Sequence, residues 1–183
     1  MQHNTPYEAA APGASLALSK DELVAIAERR LASVTQDSPW TALQTLALSC
    51  RILFDGGHDA GLAGQISCRG AQDNTFYTQR LGLGFDEITA GNLLEVDHDL
   101  RVVHGEGIPN PANRFHSWIY RQRPDVACII HTHPTHVAAL SMLEQPLLVS
   151  HMDTCPLFDD CAFLPSWPGV PVGNEEGEII ADA

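Results

Sequence analysis

The first regular pattern of apolar residues along the chain has the period of an α-helix. Ser19 and Glu22 match the S-x-x-E capping box, and an apolar stripe with a 3.6-residue period follows them. A second apolar run extends to residue 54. Ser38 and Pro39 have the residue types of a helix cap and a first helical position, and a pair of glycines ends the run. The pattern therefore predicts two successive helices.

From residue 61 onward the apolar period shortens to two, and turn residues separate short runs. The stretches GLAGQISCRG and NTFYT predict two strands around a glycine-rich loop. The stretch LLEVDHDLRVV predicts a hairpin that turns near Asp97 to Asp99. These runs predict an antiparallel or mixed sheet.

A third helix is predicted after the hairpin. Asn110 provides a cap, Pro111 stands at the first helical position, and Pro124 ends the helix. The predicted apolar face consists of Phe115, Trp118 and Ile119. This helix leads the chain into the apolar stretch that follows Asp125.

That stretch, VACIIHTH, predicts a strand that ends at Pro134. Helical periodicity resumes in THVAALSML, and PLLVSHMD is a further strand candidate. The stretch NEEGEIIADA has the pattern of a helix that is beginning, with no stop signal. We therefore expect the fold to continue beyond residue 183, so that the domain is truncated at its C-terminal end.

Composition sets the limits of this picture. The chain has 183 residues and is 44% hydrophobic, which suits a single domain with a sizeable core. Residues 1 to about 18 are small and proline-containing and cannot bury much surface. We expect a flexible tail over residues 1–18 and one domain over residues 19–183.

The charge is strongly negative, with 10 basic and 23 acidic residues and a net charge of −13. Such a field repels the phosphates of nucleic acids and anionic lipids, so neither is expected as a partner, whereas a small-molecule substrate is. No stretch approaches the ~18 apolar residues of a membrane helix. The five cysteines are an odd number without a Cys-x-x-Cys pair, which favours a cytoplasmic location over a disulfide framework or a zinc ribbon.

Three histidines lie within six residues in the stretch HTHPTH. Alternate residues of a strand point to one face, so His131 and His133 are expected side by side, with Cα atoms about 6.5 Å apart. Two imidazoles suit one metal ion, although a catalytic zinc site typically has three protein ligands. The alternative is that both are ordinary strand-end histidines. The apolar run before them and the proline turn after them favour the metal.

The other histidines carry weaker signals. His136 lies past the turn, where we expect it to cap a helix or to orient a ligand. Surface or packing roles are expected for the scattered histidines His58, His98, His104 and His116.

Three stretches, taken in order, resemble the class II aldolase/adducin family, whose members include fuculose-phosphate aldolases. GLAGQISCR is similar to the family's Gly-x-x-Gly-Asn-Ile-Ser-x-Arg loop, RFHSWIYRQRPDVACIIHTH to its helix-strand-His-x-His unit, and GVPVGNEEGEIIADA to a later helix entry. The resemblance runs from about Leu23 to the end of the chain.

This resemblance implies an α/β fold with three α/β/α layers around a central, mostly antiparallel sheet. It also implies a homo-oligomer, usually a tetramer, and a divalent metal, zinc above all, held by three histidines. His131 and His133 match the first two of these histidines. The third belongs to a family segment that lies beyond residue 183.

Several family residues are replaced here. The glutamate that acts as general base in the family's aldolases corresponds to Ala112 or a neighbour. The groups that bind a sugar phosphate correspond to Gln65, to Leu81-Gly82 and to Asn110-Pro111. Because hydroxyl donors to phosphate are missing at these positions, the resemblance implies an unphosphorylated substrate.

Other positions keep groups that suit a substrate. Gly64, Gln65 and Ser67 are expected to contact it through backbone and side-chain donors. The tyrosine that donates a proton in the family corresponds approximately to His151, which we expect to act as a general acid near neutral pH. The alternative is that His151 simply hydrogen-bonds Asp153.

We therefore expect a metal-dependent lyase of the aldehyde-lyase class, in carbohydrate metabolism, that acts on a small hydroxy-carbonyl substrate. Retro-aldol cleavage and decarboxylation both stay open, because they share an enediolate. Two alternatives also stay open. One is a non-catalytic, adducin-like assembly module, and the other is a metal-dependent oxygenase or epimerase on the same scaffold.

Overall fold

The computed structural model describes residues 17–35, 38–167, 169–170 and 172–183. Contacts divide the chain into two units, one up to Pro39 and one from Trp40 onward. Helix α1, Lys20–Val34, lies in the first unit and begins with the predicted capping box, in which Ser19 and Glu22 each bond the other's backbone N–H. Residues 1–16 of the predicted tail lie outside the described residues, so the tail stays a prediction.

Five strands of the second unit form one sheet in which every neighbouring pair is antiparallel, in the order β4-β3-β2-β1-β5. The strands are β1 Gln65–Arg69, β2 Thr75–Gln79, β3 Leu93–Asp97, β4 Val102–His104 and β5 Cys128–His131. The first four follow each other as a meander, and the predicted hairpin is its last turn. β5 comes later in the chain and pairs with β1 at the edge of the sheet.

One helix covers each face of this sheet. On the face that we call the α2 face, α2 (Ala42–Asp55) packs Leu46 and Cys50 against Ile66 of β1. On the opposite face, the α3 face, α3 (Asn113–Gln122) packs Tyr120 against Phe76 of β2. The predicted α/β class, with helices on both faces of an antiparallel sheet, is confirmed.

Two further helices complete the second unit, α4 (Thr135–Ser141) and α5 (Glu175–Asp182), at the positions where sequence periodicity predicts them. α5 packs closely on α3: a Cβ atom on Gly177 would lie 2.6 Å from the Trp118 side chain. The Trp118 indole N–H also donates to the Asn174 side chain over 3.0 Å. Among the described residues, no helix is both long and apolar enough to span a membrane.

The predicted start of α2 at Ser38 and Pro39 is wrong. Thr41 is the cap: its hydroxyl accepts the N–H of Gln44 over 3.3 Å, and the Gln44 side chain accepts the N–H of Thr41 over 2.9 Å. A T-x-x-Q box satisfies two N–H groups at once, which a single serine does not.

The start of α3 is also later than predicted, although Asn110 keeps its role. Its side chain accepts the N–H of Ala112 over 3.0 Å. The first turn has 3₁₀ hydrogen bonds, such as Asn113 N–H to Asn110 C=O at 2.9 Å, and the regular helix begins at Asn113. The tight turn delays the α-helix by two residues relative to Pro111.

The strand predicted in VACIIHTH occurs as β5 but ends earlier than predicted, and the strand predicted in PLLVSHMD is wrong. β5 ends at His131, so His133 lies in the turn before α4 rather than on the strand. PLLVSHMD is irregular and leads into a 3₁₀ helix at Met152–Leu157. Leu148 is 73% exposed, which shows that this apolar run is not buried by a neighbouring strand in the described part of the chain.

Candidate functional site

A cleft of about 790 Å³ lies between the end of β5, α3 and α5. Its walls are largely apolar, and no Lys, Arg, Asp or Glu is among the described residues that line it. The polar side chains of the lining are Gln65, Asn110, His131 and His133. The rest of the lining is Ala63, Gly64, Ala112, Phe115, Ile119, Ile129, Ile130, Trp167, Gly169, Val170 and Ile180.

The two histidines lie side by side in this cleft, as the sequence predicts. Their ring centroids are 4.7 Å apart. The geometry differs from the prediction, since His131 is the last residue of β5 and His133 follows in the turn that Pro134 ends. His131 is half-buried and His133 is exposed, so one ring is held in place and the other borders solvent.

Gln65 holds the ring of His131. The two residues are partners in the β1–β5 ladder, and Gln65 Oε1 lies 2.6 Å from His131 Nδ1. An amide oxygen only accepts hydrogen bonds, so Nδ1 carries the proton and Nε2 keeps its lone pair. Burial, and after it the nearby His133, lowers the pKa of His131 to about 4. His131 is therefore neutral at pH 7, which is the form that binds metals.

Ser67 lies beneath this pair and contacts other side chains rather than the cleft. Its Oγ is 2.6 Å from His116 Nδ1 and 2.9 Å from the Tyr120 hydroxyl. Ser67 and His116 are both 0% exposed, and Ser67 does not line the cleft. Its predicted contact with substrate stays a prediction, while its position makes it part of a buried Ser67–His116–Tyr120 network.

His116 is neutral in this network. Burial, followed by a smaller effect of His131, lowers its pKa to about 3. Neutral imidazole has one N–H, and its Nε2 has no hydrogen-bond partner among the described residues. The Phe115 ring lies between the two histidines, with its centroid 4.4 Å from that of His116 and 5.2 Å from that of His131. The network is therefore packed directly under the cleft.

Arg69 ties the end of α3 to the sheet. Its guanidinium donates to the carbonyls of Tyr120, Arg123 and Val126 over 3.2, 2.9 and 2.9 Å. It also lies over the Tyr120 ring, 4.9 Å from the centroid. Cations at a helix C-terminus satisfy carbonyls that have no helical partner. The turn that leads into β5 is thereby held, and with it His131.

Gly64 lines the cleft and is required by its backbone. Its φ is +93°, and a Cβ atom there would lie 3.0 Å from the His131 carbonyl oxygen and 3.2 Å from the Phe85 ring. Glycine adopts positive φ without steric cost. Gly64 therefore allows β1 to start close against the end of β5.

The remaining predicted residues lie away from the two rings. His151 does not line the cleft, and its Nδ1 accepts the N–H of Asp153 over 3.3 Å, as the alternative interpretation predicted. His136 is exposed in α4 and has no hydrogen bond to a described residue. His58 is expected to be a plain surface or packing residue. Its Nδ1 lies 3.1 Å from the hydroxyl of Thr132, the residue between His131 and His133 in the sequence.

Metal ligands beyond the pair are not evident in the described ranges. No group of three or more His, Cys, Asp or Glu side chains that could hold a metal occurs there. The arrangement supplies two adjacent imidazoles, one of them neutral and oriented by an amide.

Sequence reasoning missed the polar stripe of α3. The residues that this helix turns toward the sheet are spaced i, i+3, i+4 and i+7 and are fully or almost fully buried: Asn113, His116, Ser117 and Tyr120. Trp118 and Ile119 of the predicted apolar face are only half-buried. The helical spacing of the polar residues could have predicted this stripe, but a search for apolar periodicity counts only apolar residues.

Comparison with known proteins gives this geometry a context. Residues 44–183 match the model of the family described as class II aldolase and adducin N-terminal domain. The decarboxylase NovR of Streptomyces niveus is 32% identical over 124 residues, which are 66% of this chain and 46% of that protein. The 4-hydroxy-3-prenylphenylpyruvate oxygenase/4-hydroxy-3-prenylbenzoate synthase of Streptomyces roseochromogenus subsp. oscitans is 32% identical over the same length, 66% of this chain and 45% of that protein.

Among solved structures, the L-fuculose 1-phosphate aldolase from Glaciozyma antarctica PI12 is similar with a TM-score of 0.71 and 26% identity. The match covers 84% of this chain and 64% of that chain. The chain thus spans less than half the length of the two curated relatives and about two thirds of the solved structure.

Proposed function

Because the chain belongs to the class II aldolase and adducin N-terminal domain family, we propose that it is a metal-dependent lyase that cleaves a carbon–carbon bond of a small, unphosphorylated hydroxy-carbonyl compound. The observation that carries the proposal is the pair formed by His131 and His133 in the cleft, with His131 oriented by Gln65. We also propose a homo-oligomer in the cytoplasm, as expected from the sequence.

The donor set fits a divalent ion, and zinc is the ion we propose. His131 directs an unprotonated Nε2 away from Gln65, and His133 stands 4.7 Å from it, ring to ring. A metal-ligating histidine usually donates its other N–H to a carbonyl or carboxylate oxygen, as His131 does to the Gln65 amide. When bound, the ion would polarise a substrate carbonyl and stabilise the negative charge that develops on its oxygen.

Other residues of the cleft would orient the metal ligand and shape the space for the substrate. Gln65 keeps His131 in one tautomer and one orientation. Gly64 presents its backbone at the edge of the cleft without a side chain in the way. The apolar walls offer water few hydrogen-bond partners, so a bound substrate would displace it and strengthen electrostatic interactions inside the cleft. We propose His151 as the general acid, although it does not line the cleft.

The lining supports a substrate without phosphate. A dianion needs arginine, lysine or clustered N–H donors, and no cationic side chain is among the described lining residues. The walls are instead aliphatic and aromatic, which suits an apolar or aromatic body carrying the reacting carbonyl. One relative is named for a prenylated phenylpyruvate, an aromatic carbonyl compound, which supports this substrate class. Another relative is named a decarboxylase, which supports cleavage of a carbon–carbon bond.

A second candidate is an oxygenase that uses the same two histidines. It is favoured by the name of the relative that is an oxygenase, together with the apolar lining. A third candidate is an adducin-like assembly module without catalysis. It is favoured by the lack of a third metal-binding side chain near the pair among the described residues. Metal binding separates the module from both enzymes, and oxygen consumption separates the two enzymes.

Metal binding is the first test. Zinc is titrated calorimetrically into the wild-type chain and into His131→Ala, His133→Ala and the control His136→Ala. We expect the first two changes to weaken the zinc Kd at least about 10-fold, since even groups that only orient a ligand are worth about 10-fold to 100-fold. The His136 change should leave the Kd within about 2-fold, because His136 lies on α4 beyond the turn.

Turnover is the second test. Aromatic hydroxy-carbonyl compounds are incubated with the chain, with and without a chelator, and carbonyl products, carbon dioxide and oxygen uptake are measured. Chelator-sensitive carbonyl or carbon dioxide release without oxygen uptake supports the lyase. Turnover that ignores the chelator, or a wild-type chain that binds no zinc, removes it. An equal loss of zinc binding in His136→Ala shows that the ligands are misassigned.

A further inference from the structure

Three of the five cysteines gather on the α2 face of the sheet. Cys50 of α2 is fully buried in the core cluster, and Cys68 of β1 packs against that cluster. Cys128 is the first residue of β5 and is exposed. Cys68 and Cys128 are direct partners in the antiparallel β1–β5 ladder. All three thiols are free in this structure.

The hydrogen bonds of the ladder show which kind of pair this is. Arg69 N–H donates to the Ala127 carbonyl over 3.1 Å, so the neighbouring position along the ladder is a hydrogen-bonded pair. Gly70 N–H donates to the Thr75 carbonyl of β2. The N–H groups of alternate residues point to the same side, so the Cys68 N–H also points toward β2 and away from β5. Cys68 and Cys128 therefore form a non-hydrogen-bonded pair. In such pairs the Cα atoms are about 4.5 Å apart, within the roughly 4.4–6.8 Å that a disulfide spans.

We propose that Cys68 and Cys128 are a thiol–disulfide modification site, which forms a cross-strand disulfide when it meets a disulfide oxidant. The thiolate of Cys128, on the exposed edge strand, attacks one sulfur of the oxidant and releases one thiol. The thiol of Cys68 then loses its proton and attacks the sulfur of Cys128, which releases the second thiol. Two electrons pass from the cysteine pair to the oxidant, whose disulfide becomes two thiols.

The neighbouring cysteine does not compete for this bond. Cys50 is 0% exposed, and burial raises the pKa of its thiol to about 12. Burial also raises the pKa of Cys68, to about 11, and that of Cys128. Small thiolate fractions make the exchange slow at neutral pH, so the disulfide accumulates under sustained oxidation rather than in brief exposure.

The cross-link would act on the strand that carries the cleft histidine. Cys128 lies three residues before His131, and Cys68 lies three residues after Gln65, on the same two strands. Residues three apart on a strand point to opposite faces. The disulfide would therefore lie on the α2 face, whereas the Gln65 and His131 side chains lie on the α3 face. Oxidation would therefore hold the edge strand β5 against β1. This site does not depend on the proposed lyase activity.

The test uses the folded chain and glutathione disulfide. A background with Cys155→Ser and Cys161→Ser removes two exposed thiols that have no place in the ladder. After oxidation, acid quenching and alkylation, peptide mapping should show Cys68 joined to Cys128 as the main internal disulfide, with the chain lighter by two hydrogens. In Cys68→Ser, Cys128 should instead carry one glutathione.

Two further measurements decide the matter. Amide hydrogen exchange in β5 should slow on oxidation of the background protein and recover when dithiothreitol is added. In the matched Cys50→Ser variant the Cys68–Cys128 bond should still form. The proposal is overturned if Cys128 carries only glutathione while Cys68 stays reduced, if Cys50 replaces Cys68 as the main partner, or if exchange in β5 is unchanged by a bond that has formed.

Discussion

The two faces of the sheet bury their side chains in different ways. On the α2 face, a continuous apolar cluster joins α2 to the strands. The polar side chains of Gln79 and Glu95 bond to the strands and to the loops beside them rather than to α2, and Glu95 also accepts the Thr75 hydroxyl. On the α3 face, polar side chains bond to each other between elements: Ser67 to His116 and Tyr120, and Thr78 to Asn113.

The two kinds of burial have different consequences for the fold and for the site. Apolar burial is strong but has no direction, whereas a hydrogen bond is modest in net energy and specifies the orientation of both groups. Orientation matters where His131 must present one nitrogen to the cleft, and His131 lies on the face with the directional contacts. We therefore assign stability mainly to the α2 face and placement of the site mainly to the α3 face.

A cavity on the α2 face should destabilise the protein most. Leu46→Ala should lower the free energy of unfolding by about 2–5 kcal/mol, because Leu46 is 3% exposed in the core cluster. Urea denaturation measures this loss, and zinc affinity of the folded variant should not change. Leu48→Ala, on the same helix at a residue 40% exposed, is the control and should cost much less. A folded Leu46→Ala protein with weakened zinc binding would contradict the division of work.

A smaller loss is expected from the α3 face. Ser67→Ala leaves the buried His116 Nδ1 and the Tyr120 hydroxyl without their partner, which should cost about 1–3 kcal/mol of unfolding free energy. Tyr120→Phe breaks one of the same contacts. The losses in the double variant, measured in urea, should therefore be less than additive. Strict additivity would show that the three side chains do not act as a unit.

Lowering the pH should destabilise the protein through the buried His116 on the α3 face. Burial holds the pKa of His116 at about 3, below the ordinary 6.5, so the unfolded chain binds more protons than the folded one between these values. Stability therefore falls as the pH is lowered from 6.5, by at most about 1.4 kcal/mol per pH unit for this group. His131 contributes in the same direction in the metal-free chain, since its pKa is also lowered.

Urea midpoints of the metal-free chain between pH 7 and pH 5 measure this slope. His116→Gln should make it shallower, whereas His104→Gln, at an exposed residue of β4, should leave it unchanged. Equal slopes in the wild type and in His116→Gln would show that His116 is not held neutral by the fold.

Two glycine variants separate the cost of a close contact from the cost of backbone strain, and the difference between them should be small. Gly64→Ala and Gly61→Ala both place a side chain at positive φ, +93° and +62°. Only the new Cβ at residue 64 meets the His131 carbonyl oxygen, at 3.0 Å, while nothing lies within 4 Å at residue 61. Thermal or urea denaturation should therefore show Gly64→Ala to be the less stable variant by about 1 kcal/mol. Equal losses would mean that β1 has room to move away from β5.

Local signals in the sequence predicted those parts of the fold that depend on neighbours in the chain. The α1 capping box, the hairpin at Asp97 and the helices α4 and α5 all occur where periodicity and turn residues place them. The start of α2 differs from the prediction because the T-x-x-Q box at Thr41 satisfies two N–H groups, whereas the serine-proline pair before it can satisfy one. PLLVSHMD was mispredicted because apolar composition indicates neither burial nor a pairing partner.

The site was less predictable because its contacts join distant parts of the chain. The rings of His131 and His133 were expected together, and they are. The bond from Gln65 to His131 spans 66 residues and that from Ser67 to His116 spans 49, so both depend on the register of β5 against β1 and on the face that α3 turns inward. The polar stripe of α3 is buried because Ser67 and Thr78 of the sheet provide hydrogen-bond partners for it. The apolar pattern of α3 does not indicate these partners, because they lie in distant parts of the chain.

The order of strands in the sheet also bears on how the chain folds. β1, β2 and β3 each pair with the next strand along the chain, so each of these pairings closes only a short loop. β5 must instead find β1 after three strands and α3 have intervened, and the entropy lost in closing a loop grows with its length. We expect the meander to assemble early and β5 to dock late. The two halves of the site, Gln65 on β1 and His131 on β5, would then meet only in the closing steps of folding.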